Sequence, residues 1–245
     1  MRVHQQAAYI LVNRPYSETS WIVEAFTRDY GRLSLMAKGA RRFKSKLRGT
    51  LLPFQPTLLS WTGKGEIPTL TSAEIDQRNF NLIEHELLSD ARVCGFYCNE
   101  LLNRLMHRYD PHPQLFDRYD AAMMALARAR EDYQLAEILR DFERTMMRET
   151  GYEVSFQLEA DGKTPIDESA EYRFQPGQGF VRVAQPEYNS TSGRIILLIA
   201  SNQGARLSNE EASSEKRLMR DILRHLLGRN EIVSRALFYP KARPQ

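Results

Sequence analysis

Residues 19–39, TSWIVEAFTRDYGRLSLMAKG, contain two runs that alternate apolar and polar positions, joined by Asp29-Tyr30-Gly31. A period of two is that of a strand with one buried face, and an Asp-x-Gly joint between two such runs makes a tight hairpin. The alternation turns Leu33, Leu35 and Ala37 inward and Arg32, Ser34 and Lys38 outward. The same period recurs on either side, over 6–13 (QAAYILVN), 54–62 (FQPTLLSWT) and 66–75 (EIPTLTSAEI), with Gly63-Lys64-Gly65 as a second hairpin. Five short strands with a longer excursion between the third and fourth predict a small five-stranded oligonucleotide-binding (OB-fold) β-barrel, with an SH3-like barrel as the alternative. Pro68 has no N–H to give a neighbour, so the fifth strand is predicted at an edge or at the point where the barrel closes.

From about Leu82 the apolar period lengthens to 3.6. The segment 82–108 is apolar almost all round and predicts a buried central helix; further helices are expected near 113–130 and 133–150, with Gly151 as a stop. Residues 152–186 lose that period and gain Gly162, Pro165, Pro176, Gly177, Gly179 and Pro186, so they read as an irregular insertion, with a small β-hairpin at Tyr172, Phe174, Phe180 and Val181. Helices resume near 191–202, and Ser208 with Glu211 forms a capping box for a last helix that ends at Leu227 before Gly228. The class is therefore α+β, with a barrel domain over 1–79 and a helical domain over 80–245 that carries the insertion.

The charge is unevenly spread. Residues 1–79 carry a net +6, residues 80–215 a net −9 and residues 216–245 a net +6, so two basic ends flank an acidic middle. That layout suits a polyanionic partner held by the ends. No run of about 18 apolar residues suggests a membrane span, and the N-terminus has no signal-peptide character, which predicts a cytoplasmic protein. Cys94 and Cys98, four apart on the central helix beside Leu101, Leu102 and Leu105, read as reduced core residues; a zinc site needs two more ligands that no neighbouring cysteine supplies.

The densest basic feature is Lys38-Gly39-Ala40-Arg41-Arg42-Phe43-Lys44-Ser45-Lys46-Leu47-Arg48-Gly49, six cations and no acid in twelve residues. Between the third and fourth strands it reads as a flexible cationic arm that neutralises phosphates. Arg32 joins it as a DNA-binding candidate on the outer face. Trp21, Tyr30, Phe43 and Trp61 are candidates for stacking on unpaired bases, with Trp21 and Trp61 reading equally well as barrel core. A second stripe, Arg217, Arg220 and Arg224, is spaced three and four apart on the last helix, with Lys216 before it and Arg229 after it. It could extend a DNA surface or receive an acidic peptide. Phosphate-loop, dinucleotide, zinc-protease and nucleophile-elbow motifs are missing, and the five histidines share no ligand spacing, so no catalytic residue, metal or cofactor is expected. The competing functions are a metal-dependent nuclease and an RNA-binding barrel protein.

The ordered pieces Arg14-Pro15-Tyr16-Ser17-Glu18-Thr19-Ser20, Phe26-Thr27, Gly31-Arg32 and Lys38-Gly39-Ala40-Arg41 resemble the opening of the RecO family of DNA repair proteins. Asn99-Glu100-Leu101-Leu102, Arg140-Asp141-Phe142-Glu143, Gly151-Tyr152 and Ser234-Arg235-Ala236-Leu237-Phe238 continue the likeness along nearly the whole chain. The resemblance implies a nucleoid-associated recombination mediator without enzymatic activity. Such a protein binds single- and double-stranded DNA, anneals complementary strands and, with RecR, helps load RecA onto strands covered by single-stranded DNA-binding protein (SSB). Many members carry four zinc-binding cysteines in the insertion; residues 152–186 contain neither Cys nor His, so a zinc-free version is expected. The resemblance also implies a site for the acidic, Phe-ended SSB tail, and Arg140, Phe142 and Arg144, with Met146 and Met147, are the candidates for it on the helix over 133–150.

Overall fold

The computed structural model describes residues 1–77, 89–152, 154–201, 203, 206–228 and 232–234. The first turns of the expected central helix (82–88), Arg229 and the Arg235–Phe238 piece lie outside the described residues. The chain forms two compact units, Met1–Ala129 together with the segment from Ile232, and Arg130–Glu231.

The first unit opens with β1 (Arg2–Pro15), β2 (Trp21–Thr27) and β3 (Gly31–Ala37), then the single turn α1 (Leu47–Thr50), β4 (Pro56–Thr62) and β5 (Thr69–Ile75). The strands close into a barrel in the order β1-β2-β3-β5-β4, antiparallel everywhere except at the β3–β5 seam, where Met36 pairs with Thr69. This parallel seam is the closure of the oligonucleotide-binding barrel and decides against the SH3-like alternative. Pro68 sits at the seam and accepts a 2.8 Å hydrogen bond from the Met36 N–H through its carbonyl, so the residue that cannot donate marks the closing point. β1 is long enough to pair with both β2 and β4 because its register shifts between Ile10 and Val12 on one side and between Val3 and Gln6 on the other; such bulges bend a strand around a barrel.

Inside lie Val23, Ala25, Leu33, Leu35, Ala37, Leu59, Trp61 and Leu70, as the alternation requires. The outer face of β1 and β2 is not left to water. Tyr9 and Phe26 are buried there and meet Phe116 and Tyr119 of α3 (Pro113–Arg128) at ring-centroid distances of 4.8–6.2 Å. The central helix α2 (Ser89–Leu105) docks on β1, where the Asn99 amide donates to the carbonyls of Ile10 (3.4 Å) and Leu11 (3.1 Å). Those carbonyls lie at the β1 bulge, where the ladder is interrupted and buried acceptors need another donor. Cys94 and Cys98 are buried, reduced residues of α2. Between β2 and β3, Gly31 has φ +65°, and a Cβ there would meet the Asp110 carbonyl oxygen at 2.1 Å, so only glycine fits this turn.

The second unit contains α4 (Asp132–Glu149), a three-stranded sheet of β6 (Glu171–Gln175), β7 (Gly179–Val183) and β8 (Ser190–Ser192), then α5 (Gly193–Ala200) and α6 (Asn209–Leu227). The expected hairpin is present, with Tyr172 opposite Arg182 and Phe174 opposite Phe180. The insertion has a buried centre of its own: Tyr172 and Phe180 are fully buried, and Phe156 and Phe174 pack on the Phe180 ring. The Tyr172 hydroxyl donates to Glu159 at 3.0 Å and accepts the Asp167 N–H at 2.9 Å. Ser208 and Glu211 make the reciprocal capping box that starts α6, and Gly228 follows its end with φ +60°.

Candidate nucleic-acid interface

Three connections meet at one end of the barrel. Trp21, the first residue of β2, pairs with Ala37, the last of β3, and Met36 beside it pairs with Thr69 at the start of β5. The β1–β2 loop, the segment after β3 and the β4–β5 loop therefore all emerge next to one another. The first two are tied together. The Arg41 N–H donates to the Thr19 carbonyl at 3.0 Å, and the Arg41 guanidinium donates to the Ser17 carbonyl.

The basic segment is folded onto the barrel rather than hanging from it as an arm. Successive turns run through Arg42 N–H to Gly39 O (3.2 Å), Ser45 N–H to Arg42 O (3.0 Å) and Arg48 N–H to Ser45 O (3.2 Å). Ala40 and Leu51 are fully buried in the barrel core and Leu47 packs against it, so apolar anchors hold both ends of the segment. The polar positions between them, Lys38, Arg41, Arg42, Lys44, Lys46 and Arg48, are all exposed. Arg14, Tyr16 and Lys64 of the neighbouring loops are exposed too, and sequence reasoning did not single them out as contacts, although Arg14 and Tyr16 lie in its first quoted piece. The β1–β2 loop carries one acid, Glu18, and the β4–β5 loop one, Glu66, and residues 38–55 contain none.

The aromatic candidates separate. Phe43 is 89% exposed, whereas Trp61 is 2% exposed, and Tyr30 packs edge-on against it at 5.3 Å. Trp21 also packs against the barrel core. Arg32 is turned to internal work: it donates to Glu24 (3.2 Å), the Met106 carbonyl (3.1 Å) and Asn103 (3.2 Å). Burial lowers its guanidinium from the usual value, against the opposing pull of Glu24. Glu24 itself is buried and also accepts from Ser34 at 2.7 Å and Arg108 at 3.2 Å. The outer face of β2 and β3 thus holds a buried ionic network that the alternation pattern did not announce.

In the second unit, the α6 stripe is partly engaged. Arg217 donates to the Ser190 carbonyl at 3.3 Å and lies 5.9 Å from the centre of the Tyr188 ring, Arg224 pairs with Asp221 at 3.1 Å, and Arg220 is half-buried. Of the residues expected to bind a partner tail, Phe142 is fully buried, Arg140 is buried against Glu143 and Glu215, and Arg144 reaches Asp141 at 3.7 Å. Met146 and Met147 are buried as well, so these groups form interior rather than an open docking face. Burial raises the Glu215 carboxyl, with Arg140 pulling the other way. Among the described residues there is no group of three or more His, Cys, Asp or Glu side chains that could hold a metal ion, and no helix long and apolar enough to cross a membrane.

The sequence matches the family models "Recombination protein O N terminal" over residues 1–78 and "Recombination protein O C terminal" over residues 90–236. It is 40% identical over 236 residues to a protein of Aromatoleum aromaticum named DNA repair protein RecO, covering 96% of this chain and 94% of that one. Proteins of the same name from Thiobacillus denitrificans (40% over 242 residues, 96% and 91% covered) and Nitrosococcus oceani (39% over 237 residues, 97% and 93% covered) are similar. An oligonucleotide-binding barrel with a cationic rim, matches to both halves of one family and near-full-length relatives agree: the chain belongs to the RecO family of DNA repair proteins.

Proposed function

We propose that the protein is a recombination mediator that binds single- and double-stranded DNA through the loop end of its barrel, anneals complementary strands and performs no bond-breaking chemistry. The observation that carries this reading is the run of six exposed cations over residues 38–48, held in place by buried Ala40 and Leu51. Cations fixed on a barrel rim suit phosphates that recur at regular spacing and do not depend on base identity. We take 1–79 as the DNA-binding domain and 80–245 as the partner domain, a division that follows the two family-model matches, while the compact units part between Ala129 and Arg130.

In the cell the partners are RecR, the SSB tail and, indirectly, RecA, and the protein works in the cytoplasm at the nucleoid. An acidic tail needs reachable cations. With Arg140 and Phe142 interior, the α6 stripe of Arg217, Arg220 and Arg224 is the better candidate, and it remains a candidate second contact for DNA.

The test replaces Arg41, Arg42, Lys44 and Lys46 together by Ala. If these four groups contact phosphates, the slope of log affinity against log salt falls by about 3 for single strands, at about 0.7 per contact, and annealing of labelled complementary oligonucleotides slows in parallel. An unchanged slope in the folded variant refutes the assignment. Strand cleavage by the wild-type protein with a divalent cation would favour the nuclease, and equal acceleration of RNA annealing the RNA-binding reading.

A further inference from the structure

We infer that Tyr16 and Phe43 form a paired stacking site for unpaired nucleobases, and that this pair, not the cations around it, makes the barrel rim prefer single strands to duplex. The inference rests on the DNA-binding reading above and adds to it the groups that tell one strand form from the other.

Tyr16 is 64% exposed and Phe43 is 89% exposed, which makes them the two most exposed aromatic residues among the described residues of the barrel unit. Exposing a ring to this extent forgoes the stabilisation of burying it, whereas the barrel core buries Trp61 and partly buries Trp21 and Tyr30. Trp61 is 2% exposed, and Tyr30 and Trp21 pack against the same core, so of the four rings the sequence offers for stacking only Phe43 stays clear of the core packing.

The two exposed rings are held on linked loops. The Tyr16 N–H donates to the Ser20 carbonyl at 3.1 Å, closing the β1–β2 loop on itself. Between Ser20 and Tyr16, the carbonyls of Thr19 and Ser17 both accept from Arg41, two residues before Phe43. One arginine thus fixes the loop that carries Tyr16 to the turn that carries Phe43. Rings whose backbone is already ordered lose less freedom on binding.

The setting selects the ligand. Phe43 lies between Arg42 and Lys44, and Tyr16 is two residues from Arg14, so each ring has exposed cations as near neighbours in the chain. A protein partner with an apolar face would have to leave these charges desolvated. A nucleic acid strand supplies anions at every nucleotide and a π-face between them. Duplex offers the same phosphates but keeps its base faces stacked inside. The cations therefore serve both forms, and the rings serve only the unpaired one.

The test compares affinity for a thymidine oligonucleotide and for a duplex of equal length, using the full chain. Removing a stacked ring typically costs about tenfold in affinity. Tyr16→Ala with Phe43→Ala is therefore expected to lower single-strand affinity about 100-fold, leave duplex affinity within about threefold and keep the salt slope. Tyr16→Phe with Phe43→Trp should restore single-strand binding, and the indole at 43 should be quenched by the oligonucleotide. Equal losses for both strand forms, or an unchanged single-strand affinity, overturn the inference while the cationic rim stands. If the four-cation variant also binds both forms as the wild type does, the rim reading fails together with it.

Discussion

Replacing Glu24 by Gln should unsettle the barrel more than any change on its cationic rim. Glu24 is 2% exposed, and its carboxylate accepts from Ser34, Arg32 and Arg108 at 2.7, 3.2 and 3.2 Å. Losing one member of a buried ion pair costs about 3–5 kcal/mol, because the charge left behind stays out of water. Two features favour the lower end. Arg108 has 43% of its side chain exposed and can turn to solvent, and Arg32 keeps the Met106 carbonyl and Asn103 as acceptors. A loss of about 3 kcal/mol, at roughly 2–4 °C per kcal/mol for a chain of this size, lowers the melting temperature by about 6–12 °C. The assay is urea or thermal unfolding followed by tryptophan fluorescence, which reports this unit because the two tryptophans, Trp21 and Trp61, both lie in the barrel. The variant Glu24→Leu/Arg32→Met, which removes both charges and keeps volume, should be less destabilised than Glu24→Gln. A Glu24→Gln protein within about 1 kcal/mol of wild type, or a double variant that sums both single losses, refutes the reasoning.

Gly31→Ala combines a positive φ with a Cβ pressed on the Asp110 carbonyl, and should cost roughly 2–5 kcal/mol in the same unfolding assay. Tyr172→Phe removes the hydroxyl that joins Glu159 to the Asp167 N–H, and should lower stability by about 1–2 kcal/mol, seen as earlier proteolysis within 154–192. Burial pushes the Glu100 carboxyl up, but hydrogen bonds from Ser234 and Val233 and the charge of Arg104 outweigh it and leave it below its usual value. Its stabilising contribution is thus complete above the ordinary carboxylate range and lost as pH falls through the lowered value, so the Val233 and Ser234 amide resonances should shift at a pH below that at which an ordinary glutamate titrates, and Glu100→Gln should abolish that titration. Chelation should leave the melting temperature unchanged and elemental analysis should find no stoichiometric zinc; one equivalent would contradict it.

Much of the fold was legible because its signals are local. The period-two runs and the Asp29-Tyr30-Gly31 joint gave β2 and β3 to within two residues at each end, and the Ser208/Glu211 box gave the start of α6. The strand order was not legible, since the β3–β5 seam rests on a single pairing of Met36 with Thr69, which leaves no pattern in either strand. The turn α1 and the three-residue β8 escaped notice because Leu47–Thr50 and Ser190–Ser192 are too short to show a period. At the site, the charge run was visible and its anchoring was not. Ala40 and Leu51 look ordinary in sequence, and only the fold shows them buried beneath the cations. The same limit explains Phe142 and Arg140: spacing shares out helix faces but does not say which face meets the interior, and Glu143 and Glu215 draw Arg140 inward.

The hydrogen bonds from Val233 and Ser234 to Glu100 have a consequence for biosynthesis. The ribosome makes Glu100 more than a hundred residues before its partners, and the whole of the second unit is translated in between. The barrel can close as soon as β5 emerges, but until Ser234 is synthesised Glu100 has only its neighbour Arg104 and lacks its two backbone donors. Folding of the first unit therefore ends after the second has been made, and a chain cut short after residue 231 would damage the end of the molecule that was built first.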